Sequence, residues 1–336
     1  MALIGSLDSG ISALKSFSKG IEVIGDAIAN VNSLGYKGSR VDYTDGFSNI
    51  LSRSTASPTG QTTGSNSTTS QIGSGTQIAA ISTDYSQGTS QPTESNSDLA
   101  IIGKGFFKVQ NSISGAEFAT RAGNFRIDDR NYVVTHDGLR LQGVMYDAGS
   151  LPTYSVTYSN GEAVFTQVTP ATSPPTGAIG DLKTEISFST GAGNLINNTA
   201  GNLTDAQIDA LDTIPKFKDF EFGQNGELKY IMSTGGSFEA GQLLLLNFSD
   251  PQALVRESNG RFTGFGAAGA TTFTQAEGKP STNALGTIKA RTLELSNVDL
   301  TQKFADIITT QRSFQAGARI ISTSDEILNE IVNLKR

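Results

Sequence analysis

This 336-residue chain has no cysteine and a single histidine, His136. The first absence excludes disulfide staples, thiolate zinc sites and a cysteine nucleophile. The second leaves a histidine metal cluster, or a serine triad built on histidine, with one candidate at most. Charge is scarce as well: 17 % of residues are charged and 37 % apolar, against about 25 % and roughly 45–50 % in ordinary soluble proteins. Ser, Thr, Asn, Gln and 37 Gly fill the shortfall, a composition closer to β-rich, turn-rich extracellular proteins than to a metabolic enzyme. The 25 Lys and Arg against 32 Asp and Glu leave a net charge of −7. No basic stripe is present to release counterions from phosphates, so nucleic acid is not an expected partner. The longest apolar run, LLLL at 243–246, is too short to span a bilayer, which argues against membrane insertion. The opening MALIGSLDSGISALKSF lacks the basic start and continuous apolar core of a cleavable signal. Export, if it occurs, is expected to leave the N-terminus intact, and the absence of cysteine fits an exported protein.

What is present concentrates at the two ends. Leu3, Leu7, Gly10, Leu14, Phe17, Ile21, Ile24, Ile28 and Val31 recur at steps of 4 and 3. This is a heptad seam that buries one face of a helix against other helices, on a rod of roughly 45 Å at about 1.5 Å per residue. Small residues flank it: Ser6, Ala13, Gly20 and Ala27 on one side, Ser18 and Gly25 with Ile4 and Ile11 on the other. A two-stranded coiled coil carries charges at such positions; here the charges sit on the opposite face, and small flanks let backbones approach closely. The C-terminus repeats the spacing with Leu300, Phe304, Ile307, Phe314, Ile321, Leu328 and Val332, interrupted at Gln311 and Asp325. Asn297 or Asp299 in SNVDLTQKF is the expected N-cap. Two amphipathic helices packed on their own domain would also produce such stripes. Three features weigh against that alone: the helices occupy both ends, the chain between them reads as β, and each seam is long. Gly10, Gly20 and Gly25 each cost about 1 kcal/mol in a helix, so an isolated pair would be marginal. Partners from other chains are therefore expected.

The middle reads as short strands separated by turns. DLAIIGKGFFKV, EFATRAGNFRID and YVVTHDGLRLQGVMYD are strand-like, with turn chemistry at Asp128–Asn131 and at His136-Asp137-Gly138. FEFGQNGELKYIM predicts a hairpin around Asn225-Gly226, and GQLLLLNF the next strand. The uncharged, Ser/Thr/Gly-rich stretch after Ser54 cannot order itself alone; it is either an extended segment lying on neighbouring subunits or a flexible linker.

Enzymatic patterns do not accumulate. GKGFFK at 103–108 begins like a phosphate loop but no helix-forming run follows, so a strand with a glycine kink is expected. Asp128 and Asp129 would point to opposite faces of a strand, a poor geometry for paired acid–base work. No catalytic residue, metal site or cofactor is expected.

The motif segment IGDAIANVNSLGYKGSR resembles the N-terminal signature of flagellar rod and hook proteins, with Ala29, Asn30, Gly35, Tyr36 and Lys37 at the matching positions. Asp26-Ala27 departs from the Asn-Asn usual there. GSGTQIAAISTDYSQGT, SDLAIIGKGFFKV and ATRAGNFRIDDRNYVVTHDGLRLQG are similar to the family's core β domain, GQLLLLNFSDPQALV to its returning strand, and LELSNVDLTQKF onward to its C-terminal helix. The resemblance covers roughly two-thirds of the chain and implies a multidomain α+β subunit. Residues 1–36 with 297–336 are expected as a coiled-coil core domain, 37–75 as an extended linker, 76–147 with 218–296 as the core β domain, and 148–217 as an inserted outer β-rich domain. The function it implies is a non-enzymatic, self-assembling subunit of the extracellular flagellar hook, a flexible tube passing torque from rod to filament. The length and the insertion favour hook over the alternative, a distal rod protein of the basal body. Implied partners are further copies of itself, the distal rod protein, the hook cap protein, the hook–filament junction protein and the flagellar export apparatus. A secreted β-rich adhesin would explain the middle but not the matched helical ends.

Overall fold

In a computed structural model of the protein, the described residues are 2–54, 68–146, 154–159, 162–167, 177–184, 196–197, 217–233, 237–271 and 273–334. The chain divides into two compact units. The first is Met1–Asn32, Lys37–Ser86 and Asn297–Arg336; the second is Ser33–Tyr36 and Gln87–Ser296. Among the described residues the α-helices are α1 (Ala2–Ala29), a single turn α2 (Phe265–Ala268) in the second unit, and α3 (Leu300–Leu334).

In the first unit both predicted terminal helices form. Asp299 is the cap of α3: its Oδ1 accepts from the N–H groups of Thr301 at 2.8 Å and Gln302 at 3.3 Å. Asn297, the other candidate, is engaged elsewhere. α1 ends earlier than its seam suggested. The Asn30 side chain donates to Asp26 O at 3.0 Å, and Val31 lies in the turn beyond, its N–H bonded to Ile28 O at 3.3 Å. Side chains such as Asn and Ser that bond nearby backbone compete with helix continuation.

Among the residues expected as an extended linker, Ser39–Asp45, Ser48–Ser52 and Ser70–Gly73 are instead strands. β1 (Ser39–Asp45) pairs antiparallel with β4 (Thr76–Thr83), from Ser39↔Thr83 to Asp45↔Thr76, with a register shift after Asp42. β2 (Ser48–Ser52) pairs with β3 (Ser70–Gly73). The β1–β4 ladder lies on α1, where Ser16 Oγ donates to Thr76 O at 3.1 Å and the Phe17 and Tyr43 rings are 5.6 Å apart. Residues 76–86, read from sequence as part of the core β domain, thus belong to the helical unit. Residues 55–67 of the polar stretch lie outside the described residues.

The second unit is built on a curled sheet. Its continuous path runs β16 (Phe217–Phe222), β17 (Glu227–Met232), β18 (Ser237–Leu243), β11 (Arg140–Tyr146), β7 (Phe106–Gln110), β8 (Glu117–Thr120), β21 (Arg261–Thr263), β20 (Val255–Arg256). Short strands β9 (Arg126–Ile127), β10 (Val133–Val134), β14 (Gly177–Asp181) and β19 (Leu245–Leu246) attach to it, while β6 (Leu99–Ile102) pairs with β22 (Thr287–Ala290) and β5 (Ser90–Pro92) with β23 (Thr292–Glu294). The hairpin at Asn225-Gly226 forms as β16–β17, with Gly226 at φ 78°. In GKGFFK, residues 103–105 are the turn between β6 and β7, with Gly103 and Gly105 at φ 109° and 125°, and Phe106–Lys108 begin β7. LLLL at 243–246 is buried throughout, as the end of β18 and β19. Phe107, Leu141, Leu182, Tyr230 and Leu243 sit at the centre of the core, with Phe107 and Phe125 edge to face at 5.2 Å.

Within residues 148–217, β12 (Tyr154–Ser159), β13 (Glu162–Gln167) and β15 (Ile196–Asn197) make a separate three-stranded sheet. β14 from the same stretch instead pairs with β11, Gln142↔Asp181 to Tyr146↔Gly177. The stretch is therefore not wholly an excursion from the core sheet.

Phe107 is fully buried among large side chains, so Phe107→Ala is expected to destabilise the β unit by about 3–5 kcal/mol. Urea unfolding of the purified subunit, followed by its β-sheet signal, measures this.

Candidate self-assembly surface

α1 and α3 pack antiparallel along their small residues. Ser6 Oγ and Ser324 Oγ are 3.2 Å apart. A Cβ built on Gly10 would lie 2.9 Å from Ile321 Cγ1, and one on Gly317 would lie 3.6 Å from both Ala13 and Leu14. Gly20 faces Thr310 and the Tyr43 hydroxyl. On α1 these are largely the flank positions Ser6, Ala13 and Gly20; on α3 they are Thr310, Gly317 and Ser324, again at heptad spacing. Gly10, Ser16, Gly20 and Ala27 are buried on α1, and Gly317 and Ser324 on α3. The sequence reading identified small flanks on α1 but missed those on α3. The period was there to find them, but the large residues beside them drew the eye.

Consequently, the large apolar seam is not the face that the two helices use most fully on each other. Ile24 is buried, whereas Leu7, Leu14, Phe17, Ile21, Ile28 and Val31 are half-buried. On α3, Ile307, Phe314 and Ile321 are half-buried, while Leu300, Phe304, Leu328 and Val332 are exposed, Phe304 by 51 % and Val332 by 63 %. Leu3 lies in α1, in the part whose side chains are not described. The second flank of α1 is open: Ile11 is exposed and nothing lies within 4 Å of a Cβ at Gly25. Ile308, Ile320, Ile327, Ile331 and Leu334 extend the exposed apolar surface of α3. At 35 residues against 28, α3 is longer by about 10 Å. Among the described residues, no helix is long and apolar enough to cross a membrane, so this surface is not a bilayer span. A face this apolar calls for protein to cover it.

The N-terminal motif residues fall beyond and at the end of α1. Ala29 closes the helix. Within the second unit, Gly35 turns at φ 64°, donates its N–H to Glu294 O at 2.8 Å, and a Cβ there would lie 2.6 Å from the Arg121 carbonyl carbon. Only glycine meets both conditions. Tyr36 is buried, with the Arg256 guanidinium 4.1 Å from its ring centre. Glu294 is buried and paired with Arg121 at 3.3 Å. Burial lowers the Arg121 pKa from its ordinary value, against the opposing pull of the Glu294 charge and hydrogen bond. Within the first unit, Lys37 is fully buried and its Nζ donates to Ser86 O at 2.8 Å. Among the described residues, no group of three His, Asp or Glu side chains could hold a metal ion.

A chain with this arrangement matches known proteins over its whole length. The family model described as flagellar basal body rod FlgEFG protein C-terminal matches residues 289–334, and that described as flagellar hook protein FlgE/F/G D1 domain matches residues 100–230. The flagellar basal-body rod protein FlgG of Bacillus subtilis is 32 % identical over 334 residues, 99 % of this chain and 100 % of that protein. The flagellar hook proteins FlgE of Borreliella burgdorferi and Treponema pallidum are each 27 % identical, over 450 and 480 aligned positions, again covering 99 % of this chain and 100 % of theirs. The chain belongs to the flagellar basal-body rod and hook protein family. It is a structural, axial component of the bacterial flagellum that polymerises with other flagellar components, and it is not an enzyme. The expectation that its length separates it from rod proteins does not hold, since the Bacillus subtilis rod protein aligns end to end.

Crowding at Gly10 predicts that Gly10→Val drives α1 and α3 apart at a cost of about 1–3 kcal/mol. Gly317→Ala, where a Cβ meets ordinary van der Waals distances, is expected to be neutral or to stabilise the helix by up to about 1 kcal/mol. Helical ellipticity and thermal melting of the two purified variants provide the comparison.

Proposed function

We propose that this chain is a rod subunit of the flagellar basal body, polymerising into a stiff tube through its terminal helices. What supports the rod reading is length parity: the match to the rod relative spans 334 positions of a 336-residue chain, while the matches to the two hook relatives need 450 and 480. The hook relatives therefore carry on the order of a hundred positions that this chain lacks. Its partners in this reading are further copies of itself, the hook built upon it and the export apparatus.

The helix surface supplies the mechanism. The small flanks of α1 and α3 close the pair within one subunit. Leu7, Leu14, Phe17, Ile21, Ile28 and Val31 on α1, and Leu300, Phe304, Ile307, Phe314, Ile321, Leu328 and Val332 on α3, contact neighbouring subunits. Each such side chain contributes about 1.5–3 kcal/mol when fully buried. Summed over neighbours, this exceeds the cost of ordering two helices that are marginal alone.

A second reading is a hook subunit, with the hook cap and the hook–filament junction protein as partners. The separate sheet of β12, β13 and β15 favours it, as an outer domain reduced in size.

Deleting the gene separates the two. The rod reading expects basal bodies whose rods stop short and which carry no hook. Complete rods bare of hooks would overturn it in favour of the second reading. The helix surface has its own test: Phe304→Asp and Val332→Asp, at exposed positions, are expected to abolish polymer while the monomer keeps its circular dichroism. Polymer formed at wild-type level by both variants would refute the surface.

A further inference from the structure

Two residues three apart, Glu294 through its side chain and backbone carbonyl and Asn297 through its side chain, each bond to the same two other passes of the chain. In the second unit, Glu294 Oε1 accepts from the Gly88 N–H at 3.0 Å, its Oε2 pairs with Arg121 Nη1 at 3.3 Å, and its backbone carbonyl accepts from the Gly35 N–H at 2.8 Å. Any Cβ on Gly88 would collide with the Leu295 carbonyl, and Leu295 N–H bonds to Thr89 O at 2.8 Å. In the first unit, Asn297 Oδ1 accepts from the Gly38 N–H at 2.8 Å, while its Nδ2 donates to Asp84 O at 2.8 Å and Ser86 O at 3.2 Å. Ser86 O also accepts from Lys37 Nζ, and Asp84 N–H donates to Gly38 O at 2.8 Å. Residues 33–38, 84–89 and 294–297 are thus tied twice. A buried carboxylate facing an arginine, with the backbone carbonyl of the same residue, makes one tie, and an amide using donor and acceptor at once makes the other.

We propose that Glu294 and Asn297 are positioning residues for assembly: a double clamp that fixes where the chain leaves α1 and enters α3. α1 ends at Ala29, and α3 begins three residues after Asn297. The two helices mesh through small residues that offer little resistance to sliding by a turn. Clamping the chain just outside their joined ends removes that freedom and holds Ser6 against Ser324 and Gly10 against Ile321. The helix pair then presents one seam register to its neighbours. Asn297 has this role in place of the N-cap role that Asp299 fills.

The inference rests on the reading that the helix pair assembles, and the experiment keeps the two apart. Full-length wild type, Asn297→Ala, Asn297→Asp, Glu294→Ala and Glu294→Gln are compared by amide hydrogen exchange in the monomer and by polymerisation rate. In Asn297→Ala the Gly38 amide is expected to exchange at least tenfold faster and in Glu294→Ala the Gly88 amide likewise, with core amides of β7 and β11 unchanged. Asn297→Asp keeps the acceptor for Gly38 and loses the donors, so Gly38 stays protected. Polymerisation is expected to slow at least tenfold in both alanine variants. Should Glu294→Ala fail to fold, Glu294→Gln, which keeps an acceptor for Gly88 and loses the charge facing Arg121, carries the comparison, with Gly88 protection retained and polymerisation slowed. Wild-type polymerisation in a folded Asn297→Ala, or exchange accelerated uniformly through the core, overturns the clamp. Failure of the wild type itself to polymerise refutes the underlying assembly reading instead.

Discussion

Everything in the first unit depends on the close approach of two helices whose sequences lie at opposite ends of the chain. Glycine, alanine and serine at the facing positions bring the backbones near enough for Ser6 and Ser324 to hydrogen-bond. They bury little apolar area in doing so. The large side chains beside them remain half-covered or exposed. A helix pair that used Phe304 and Val332 on itself would be more stable alone and would offer less to a neighbour.

The β unit solves a different problem. Its core is complete: Phe107, Leu141, Leu182, Tyr230 and Leu243 are shielded from water within one chain. It stands on three-dimensional packing that needs no neighbour. Family membership as a flagellar axial protein joins these two properties. One part of the subunit buries its large apolar side chains within the chain, and the other leaves many of them half-buried or exposed.

Each unit buries some charge in a protein otherwise short of it, Arg121 with Glu294 in the second and Lys37 in the first. Arg121 with Glu294 and the buried Lys37 are fully or nearly fully removed from water, and each has a specific partner. Removing one member of such a buried pair costs more than the pair contributes, so these positions tolerate little change. In the motif, Gly35 answers to a backbone requirement, Tyr36 to a stacking cation and Lys37 to a carbonyl acceptor. Three adjacent residues thus meet three unrelated constraints.

The sequence by itself determined the two terminal helices, the β middle and the hairpin at Asn225-Gly226. Those are readable because heptad spacing and turn residues are local properties of the chain. The N-terminal motif was legible as a pattern but not as geometry. Nothing local says that Gly35 meets Arg121 or that Asn297 reaches Gly38, since each contact joins residues far apart in sequence. Nor could periodicity decide which side of the heptad stripe α1 and α3 would share. A large apolar seam and a small flank both satisfy a 4-3 repeat, and only packing in three dimensions shows that the small flank closes inside the subunit while much of the large seam stays half-buried or exposed. Strands β1, β2 and β3 escaped for the same reason: their polar, weakly alternating residues become strands by pairing with partners distant in sequence, β1 with β4 on α1 and β2 with β3, a tertiary effect that overrides local propensity.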